Sequence, residues 1–168
     1  MRINGPLAVL IAVATLGLAG CGSGAAPDAG GAGDIPDNQA FVEYRPAGGE
    51  YALKVPEGWA RAESGGTVTF TDKLNTITVS LGTRPAAPEA VAGQSSTVQR
   101  TAGQALLTTY RADASPDPVT GKVVNDDVER YEYWHPPSSL LTVTLAGPHG
   151  ADNVDPWRIV TDSVRWLR

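Results

Sequence analysis

The sequence predicts an α+β domain in which an antiparallel sheet of about six strands carries one helix at the carboxyl end. Three observations predict it. Apolar and polar residues alternate in several runs between positions 50 and 146, the period of a half-buried strand. Two of those runs, 67–71 and 76–81, are separated by Asp72, Lys73, Leu74 and Asn75, which is turn chemistry. Near the end the apolar period lengthens to that of a helix. Strands followed by a packed helix give a layered α+β architecture.

Each element has its own justification. Residues 50–55 alternate, with Tyr51, Leu53 and Val55 on one face. Pro56, Glu57, Gly58 and Trp59 then break the strand. Val68 and Phe70 face inward from a β-branched run, and Ile77, Val79 and Leu81 answer them across the hairpin. Residues 84–93 hold Pro85 and Pro88 and a short Glu89, Ala90, Val91, Ala92 run read as one or two helical turns. Residues 98–101 and 104–112 read as strands around Gly103. Residues 115–121 form a loop, because Pro116 and Pro118 each restrict the residue before them. Residues 122–134 are a long strand, broken or bulged near Asn125, Asp126 and Asp127. Pro136, Pro137, Ser138 and Ser139 turn the chain, and 140–146 returns with Leu141, Val143 and Leu145 facing one way.

The final helix is expected to open at Asp155 and Pro156. Aspartate accepts hydrogen bonds from free amides, and proline suits the first helical position. Trp157, Val160, Val164 and Leu167 fall on one face. Asp152 and Asp155 lie at the positive end of the macrodipole and Arg165 at the negative end. An extended course for 165–168 is the alternative.

The amino terminus carries a different message. Arg2 is followed by an apolar stretch over residues 7–19. At about 1.5 Å per residue these thirteen residues span roughly 20 Å, short of a ~30 Å hydrocarbon core. A charged start and a short apolar middle describe a secretory signal. Leu18 is too bulky for ordinary signal cleavage two residues further on. Leu18, Ala19, Gly20 and Cys21 instead resemble a bacterial lipobox. That resemblance implies cleavage before Cys21 and a diacylglycerol thioether on its sulfur. Two acyl chains hold a protein stably where one holds it marginally, at ~0.8 kcal/mol per buried methylene. Cys21 is also the only cysteine, so no intramolecular disulfide can staple the domain.

Residues 22–39 contain five glycines, four alanines, two prolines and three aspartates, the composition of a flexible linker. The expected division is a lipoprotein signal peptide over 1–20, lipidated Cys21 with its linker through 39, and a single domain over 40–168. The expected address is the extracytoplasmic face of the cell membrane.

Charge and chemistry narrow the function. Without Arg2, twelve basic residues stand against eighteen acidic ones, a net charge of −6. That balance argues against nucleic acid and against an electrostatic grip on anionic lipid. His135 and His149 lack metal-ligand spacing and sit among turn residues. No Gly-x-Ser-x-Gly elbow or phosphate loop is present. Asp126, Asp127 and Glu129, and separately Asp152, Asn153 and Asp155, offer oxygen ligands without a calcium-loop pattern. The residues imply no metal, no cofactor and no catalytic group. Trp59, Trp134, Trp157 and Trp166, with Tyr51, Tyr131 and Tyr133, have two readings: core packing, which a disulfide-free domain needs, or the lining of an apolar pocket.

A resemblance adds to this. Tyr51-Ala52-Leu53-Lys54-Val55-Pro56-Glu57-Gly58-Trp59, an aromatic-led strand ending in a Pro-x-Gly-Trp turn, resembles the opening of PsbP-like domains. The residues from Gly147 to Arg158, with Asp162-Ser163-Val164-Arg165-Trp166, are similar to the tail of uncharacterised actinobacterial lipoproteins. The resemblance implies an α/β/α sandwich and an accessory or binding role, with no family catalytic residues to place. The expectation is a non-enzymatic, lipid-anchored protein docking to another envelope protein. The alternative is a carrier or sensor of a small apolar ligand, such as a lipid, in an aromatic pocket.

Overall fold

The computed structural model describes residues 31–83, 92–114, 116, 121 and 123–167. Leu18, Ala19, Gly20 and Cys21 lie outside the described residues, as does most of the expected helical turn at 84–93. The described part is mostly antiparallel β. Its elements in order are β1 (Phe41–Tyr44), β2 (Tyr51–Pro56), β3 (Ala60–Ser64), β4 (Thr67–Asp72), β5 (Asn75–Thr83), β6 (Gln94–Arg100), β7 (Gly103–Asp113), β8 (Asn125–His135), β9 (Ser139–Pro148), α1 (Val154–Asp162) and β10 (Arg165–Trp166).

Seven strands form one sheet in the order β3-β4-β5-β9-β8-β7-β6, and three form another in the order β1-β2-β10. All the pairings are antiparallel. The expected single sheet of about six strands is therefore two sheets. The reason is β2, whose neighbours are β1 and β10 and not the large sheet. Tyr51, Leu53 and Val55 of β2 are buried against the large sheet's inner face with α1 alongside.

The core lies between these layers. Val68 and Phe70 of β4, Ile77 and Val79 of β5, Leu141, Val143 and Leu145 of β9 and Tyr131 and Tyr133 of β8 point into it. Their registers place them on one face, with Val68 opposite Val79 and Val79 opposite Val143. Period-two alternation puts threonines and serine on the other face, where Thr69 and Thr78 bring their hydroxyls within 3.3 Å. Trp157, Val160 and Val164 close the core from the carboxyl end. The Tyr133 hydroxyl donates to the Thr161 carbonyl at 3.0 Å, tying sheet to helix.

Two strands were absent from the expected set. Every residue of β3 is exposed, so its sequence has no apolar alternation to betray it. It is an edge strand carrying Arg61 and Glu63, the charged form that edges adopt against further pairing. Short β1 pairs, among the described residues, only with β2, from Phe41 opposite Pro56 to Tyr44 opposite Leu53.

The helix begins two residues earlier than expected. Asn153, not Asp155, occupies the cap position, and it makes no side-chain cap bond. Asp155 and Pro156 fall inside the first turn, where a missing N–H still costs nothing. The helix ends at Asp162, and Arg165 and Trp166 pair with Ala52 and Tyr51 as β10. Leu167 therefore leaves the helical face and is exposed.

The folded part also starts before Ala40. Ile35 is buried, and its N–H donates to Asn153 Oδ1 at 2.8 Å. The Gly33 carbonyl accepts from Asn75 Nδ2 at 2.9 Å and from Asn153 Nδ2 at 3.2 Å. The end of the expected linker is thus riveted to the domain. Composition concealed this, because the rivet is backbone held by two distant asparagines.

Candidate functional site

Two clefts lie toward opposite ends of β5. Asn75, at its start, binds Gly33. Leu81, six residues on and therefore about 20 Å away, lines the far cleft.

The near cleft, of about 570 Å³, opens between α1 and the β6–β8 side of the sheet. Gln94, Arg111, Asp127, Glu129, Asn153 and Trp157 line it among others. Trp157 is buried, and its indole N–H has no hydrogen-bond partner among the described residues. Asp127 is a hub at the rim. It lies 2.8 Å from His149 Nδ1, accepts the Gly150 N–H at 3.3 Å and pairs with Arg111 at 3.3 Å. The His149 contact is the chief cause that holds its carboxyl below the usual aspartate range. Burial, with Asp127 beside it, pushes Asp126 the other way. Glu129 accepts the Tyr131 hydroxyl at 2.8 Å, and Arg100 donates to that same hydroxyl at 3.2 Å. Arg100 also lies 5.3 Å from the Tyr131 ring centroid and 3.4 Å from Asp162.

The chain enters the fold beside this cleft. A Cβ on Gly33 would come within 2.5 Å of Pro148, and Pro148 and Asn153 line the cleft. Gly147 completes the rivet: a Cβ there would lie 2.3 Å from Asn75 Oδ1 and 2.9 Å from Asn153 Nδ2. Asn153 Nδ2 also donates to Asn75 Oδ1 at 3.0 Å.

The far cleft, of about 400 Å³, lies between the β1–β2 loop and the β3–β4 turn. Tyr44, Glu50, Tyr51, Glu63, Gly65 and Gly66 contribute to its lining. Gly65 and Gly66 both have positive φ, at 57° and 82°, and form the turn between β3 and β4. The Tyr44 hydroxyl donates to Glu63 at 3.2 Å.

The four tryptophans do not gather at either cleft. Trp157 alone of them lines one. Trp59 is half-buried against the core, Trp166 stacks on His135 with centroids 4.7 Å apart, and Trp134 lies on the sheet's opposite face from Tyr133. His135 and His149 sit at the end of β8 and in the turn after β9. Among the described residues no three of His, Cys, Asp and Glu are grouped as a metal cage. Of the two acidic clusters, Asp127 is engaged by His149 and Arg111, and Asn153 by the rivet.

Sequence reasoning missed the rivet and the far cleft. Asn75 carried only a turn signal, Asn153 a place in an oxygen-ligand cluster, Glu50 strand context, and Tyr51 strand alternation and a reading as apolar-pocket lining. Nothing in their spacing joins them.

No protein-family model matches the chain, and no curated protein matches it. Among solved structures it is similar to a crystal structure from Bacteroides thetaiotaomicron VPI-5482, with a TM-score of 0.53 and 11% identity. The match covers 75% of this chain and 48% of that one, so the chain spans about half that protein's length. At such identity the likeness shows fold alone.

Proposed function

We propose that this protein is a lipid-anchored, non-enzymatic binding protein of the bacterial cell envelope, held on the extracytoplasmic face of the membrane and docking to a neighbouring envelope protein. The fold is read as a PsbP-like sandwich variant, in keeping with the likeness to actinobacterial lipoproteins. The observation that carries the reading is the rivet of Gly33 and Ile35 onto Asn75 and Asn153.

A lipid on Cys21 would leave nine residues, 22–30, before the described fold. Covalent geometry alone limits the reach of nine residues to about 30–32 Å. The fold would therefore be held within that reach of the bilayer, with the near cleft beside the attachment point and the far cleft farther from it. The net charge of −6 leaves membrane attachment to the lipid.

Cross-linking in intact cells, compared between the native protein and a secreted Cys21→Ala form at equal abundance, tests this. The expected result is one reproducible envelope partner on the anchored form, recovered also in the reciprocal capture. No reproducible partner would count against the docking role.

A second reading is favoured by the near cleft alone: a carrier of a small apolar ligand seated against Trp157. Trp157 lines that cleft, and leaving its indole N–H buried without a partner costs about 1–3 kcal/mol. Native mass spectrometry of the protein purified without added lipid would show a bound molecule.

A further inference from the structure

We infer that the far cleft is a binding site for a primary ammonium group. The inference stands on that cleft's own groups and holds whether or not Cys21 carries lipid. Tyr51 is 2% exposed and lines the cleft; its hydroxyl makes no hydrogen bond among the described residues and is not one of the fully buried unpartnered atoms, so its small accessible surface lies open to a ligand. A phenol held this deep ordinarily has a hydrogen-bond partner, which a polar ligand in the cleft would supply. The Glu50 carboxylate, which lines the same cleft, is likewise without a side-chain partner among the described residues. Glu63 supplies a second carboxylate.

An ammonium carries three N–H donors and no acceptor. The cleft offers three oxygen groups to meet them: Glu50, Glu63 and the Tyr51 hydroxyl. No lysine or arginine is among the lining residues. Arg61 lies outside the lining, 5.8 Å from the Tyr44 ring centroid and 3.5 Å from Glu63. Both members of that pair are more than half exposed, so the pair is weak and easily displaced. Burial is the main cause that raises the Tyr51 pKa far above the usual tyrosine range, with Tyr44, Glu50 and Glu63 adding to it. The hydroxyl therefore stays protonated, able to accept from the ammonium while donating to a carboxylate.

Competing ligands fit worse. An anion would meet two carboxylates. Calcium takes six to eight oxygen ligands, and two carboxylates with a phenol fall short. The volume of about 400 Å³ suits a small alkyl chain behind the charge. The ammonium could belong to a free amine or to a lysyl side chain of a partner.

The test uses the full-length protein in detergent, with its tyrosines ¹³C-labelled and the Tyr51 ring resonance followed by NMR. Probes are n-butylammonium, neutral n-butanol, Nα-acetyl-lysine methylamide and calcium chloride. A saturable shift with n-butylammonium, absent with n-butanol and calcium, is expected. Tighter binding of the lysine derivative assigns a partner's side chain, and tighter binding of n-butylammonium assigns a free amine. Glu50→Gln should weaken binding at least about tenfold, the scale of one charged hydrogen bond. Tyr51→Phe, read from a second cleft tyrosine, Tyr44, should weaken it several-fold while leaving the unfolding midpoint unchanged. That second readout separates a binding hydroxyl from a packing one. No saturable shift, an equal response to n-butanol, or undiminished affinity in Glu50→Gln would overturn the inference.

Discussion

Asn153→Ala removes the centre of the rivet. The native side chain accepts from Ile35 at 2.8 Å and donates to Asn75 Oδ1 at 3.0 Å and to the Gly33 carbonyl at 3.2 Å. Alanine strands the Ile35 N–H and the Asn75 oxygen, both in buried surroundings. Each buried group left unsatisfied costs about 1–3 kcal/mol. The Gly33 carbonyl keeps its Asn75 bond at 2.9 Å and adds little. With Ile35 kept in place the expected loss is therefore about 2–6 kcal/mol. Peeling exchanges the penalty for exposure of one isoleucine, about 1.5–3 kcal/mol, so it takes over wherever the stranded groups cost more and holds the expected loss near about 3 kcal/mol. Urea denaturation followed by tryptophan fluorescence measures the total. Limited proteolysis between Gly33 and Gln39 tells the routes apart, since only a detached segment is cut quickly. A variant within about 0.5 kcal/mol of native and no more readily cut would refute the rivet.

Other expectations follow from single contacts. Gly147→Ala should destabilise by about 2 kcal/mol or more in the same urea assay, because its Cβ would meet Asn75 Oδ1 at 2.3 Å. Tyr133→Phe should cost about 1–2 kcal/mol, the penalty of leaving the Thr161 carbonyl without its buried donor. Asp127→Asn should cost under about 1 kcal/mol at pH 7, since the carboxylate is 43% exposed and its pairs are screened. Its folded pKa is depressed, so its contribution is complete above the unfolded value of about 3.9 and is lost as pH falls through the folded one. Denaturation curves of the two proteins should therefore converge in acid below about pH 4.

Much of the fold was legible because its strands bury one face. The hairpin of β4 and β5 was read to within two residues, as Val68, Phe70, Ile77 and Val79 alternate without interruption. The same holds for β9, where Leu141, Val143 and Leu145 are buried in turn. β6 was read too short and too late, since only Val98 and Arg100 of its seven residues escape full exposure. β3 was not read at all, for the same reason carried further. Membership of β2 in a second sheet was hidden because an alternating strand does not name its neighbours. The helix start was misplaced because Asn153 occupies the cap position with its side chain committed to the rivet, so no side-chain cap bond marks it. Both clefts depend on residues far apart in sequence, such as Glu50 with Glu63 and Gln94 with Trp157, which only the folded chain juxtaposes.

Anchorage decides the account most directly. Protein extracted from native membranes should give an intact mass that begins at Cys21 and includes a diacylglyceryl group on its sulfur. A mass showing an unmodified Cys21, or a chain still carrying residues 1–20, would contradict it.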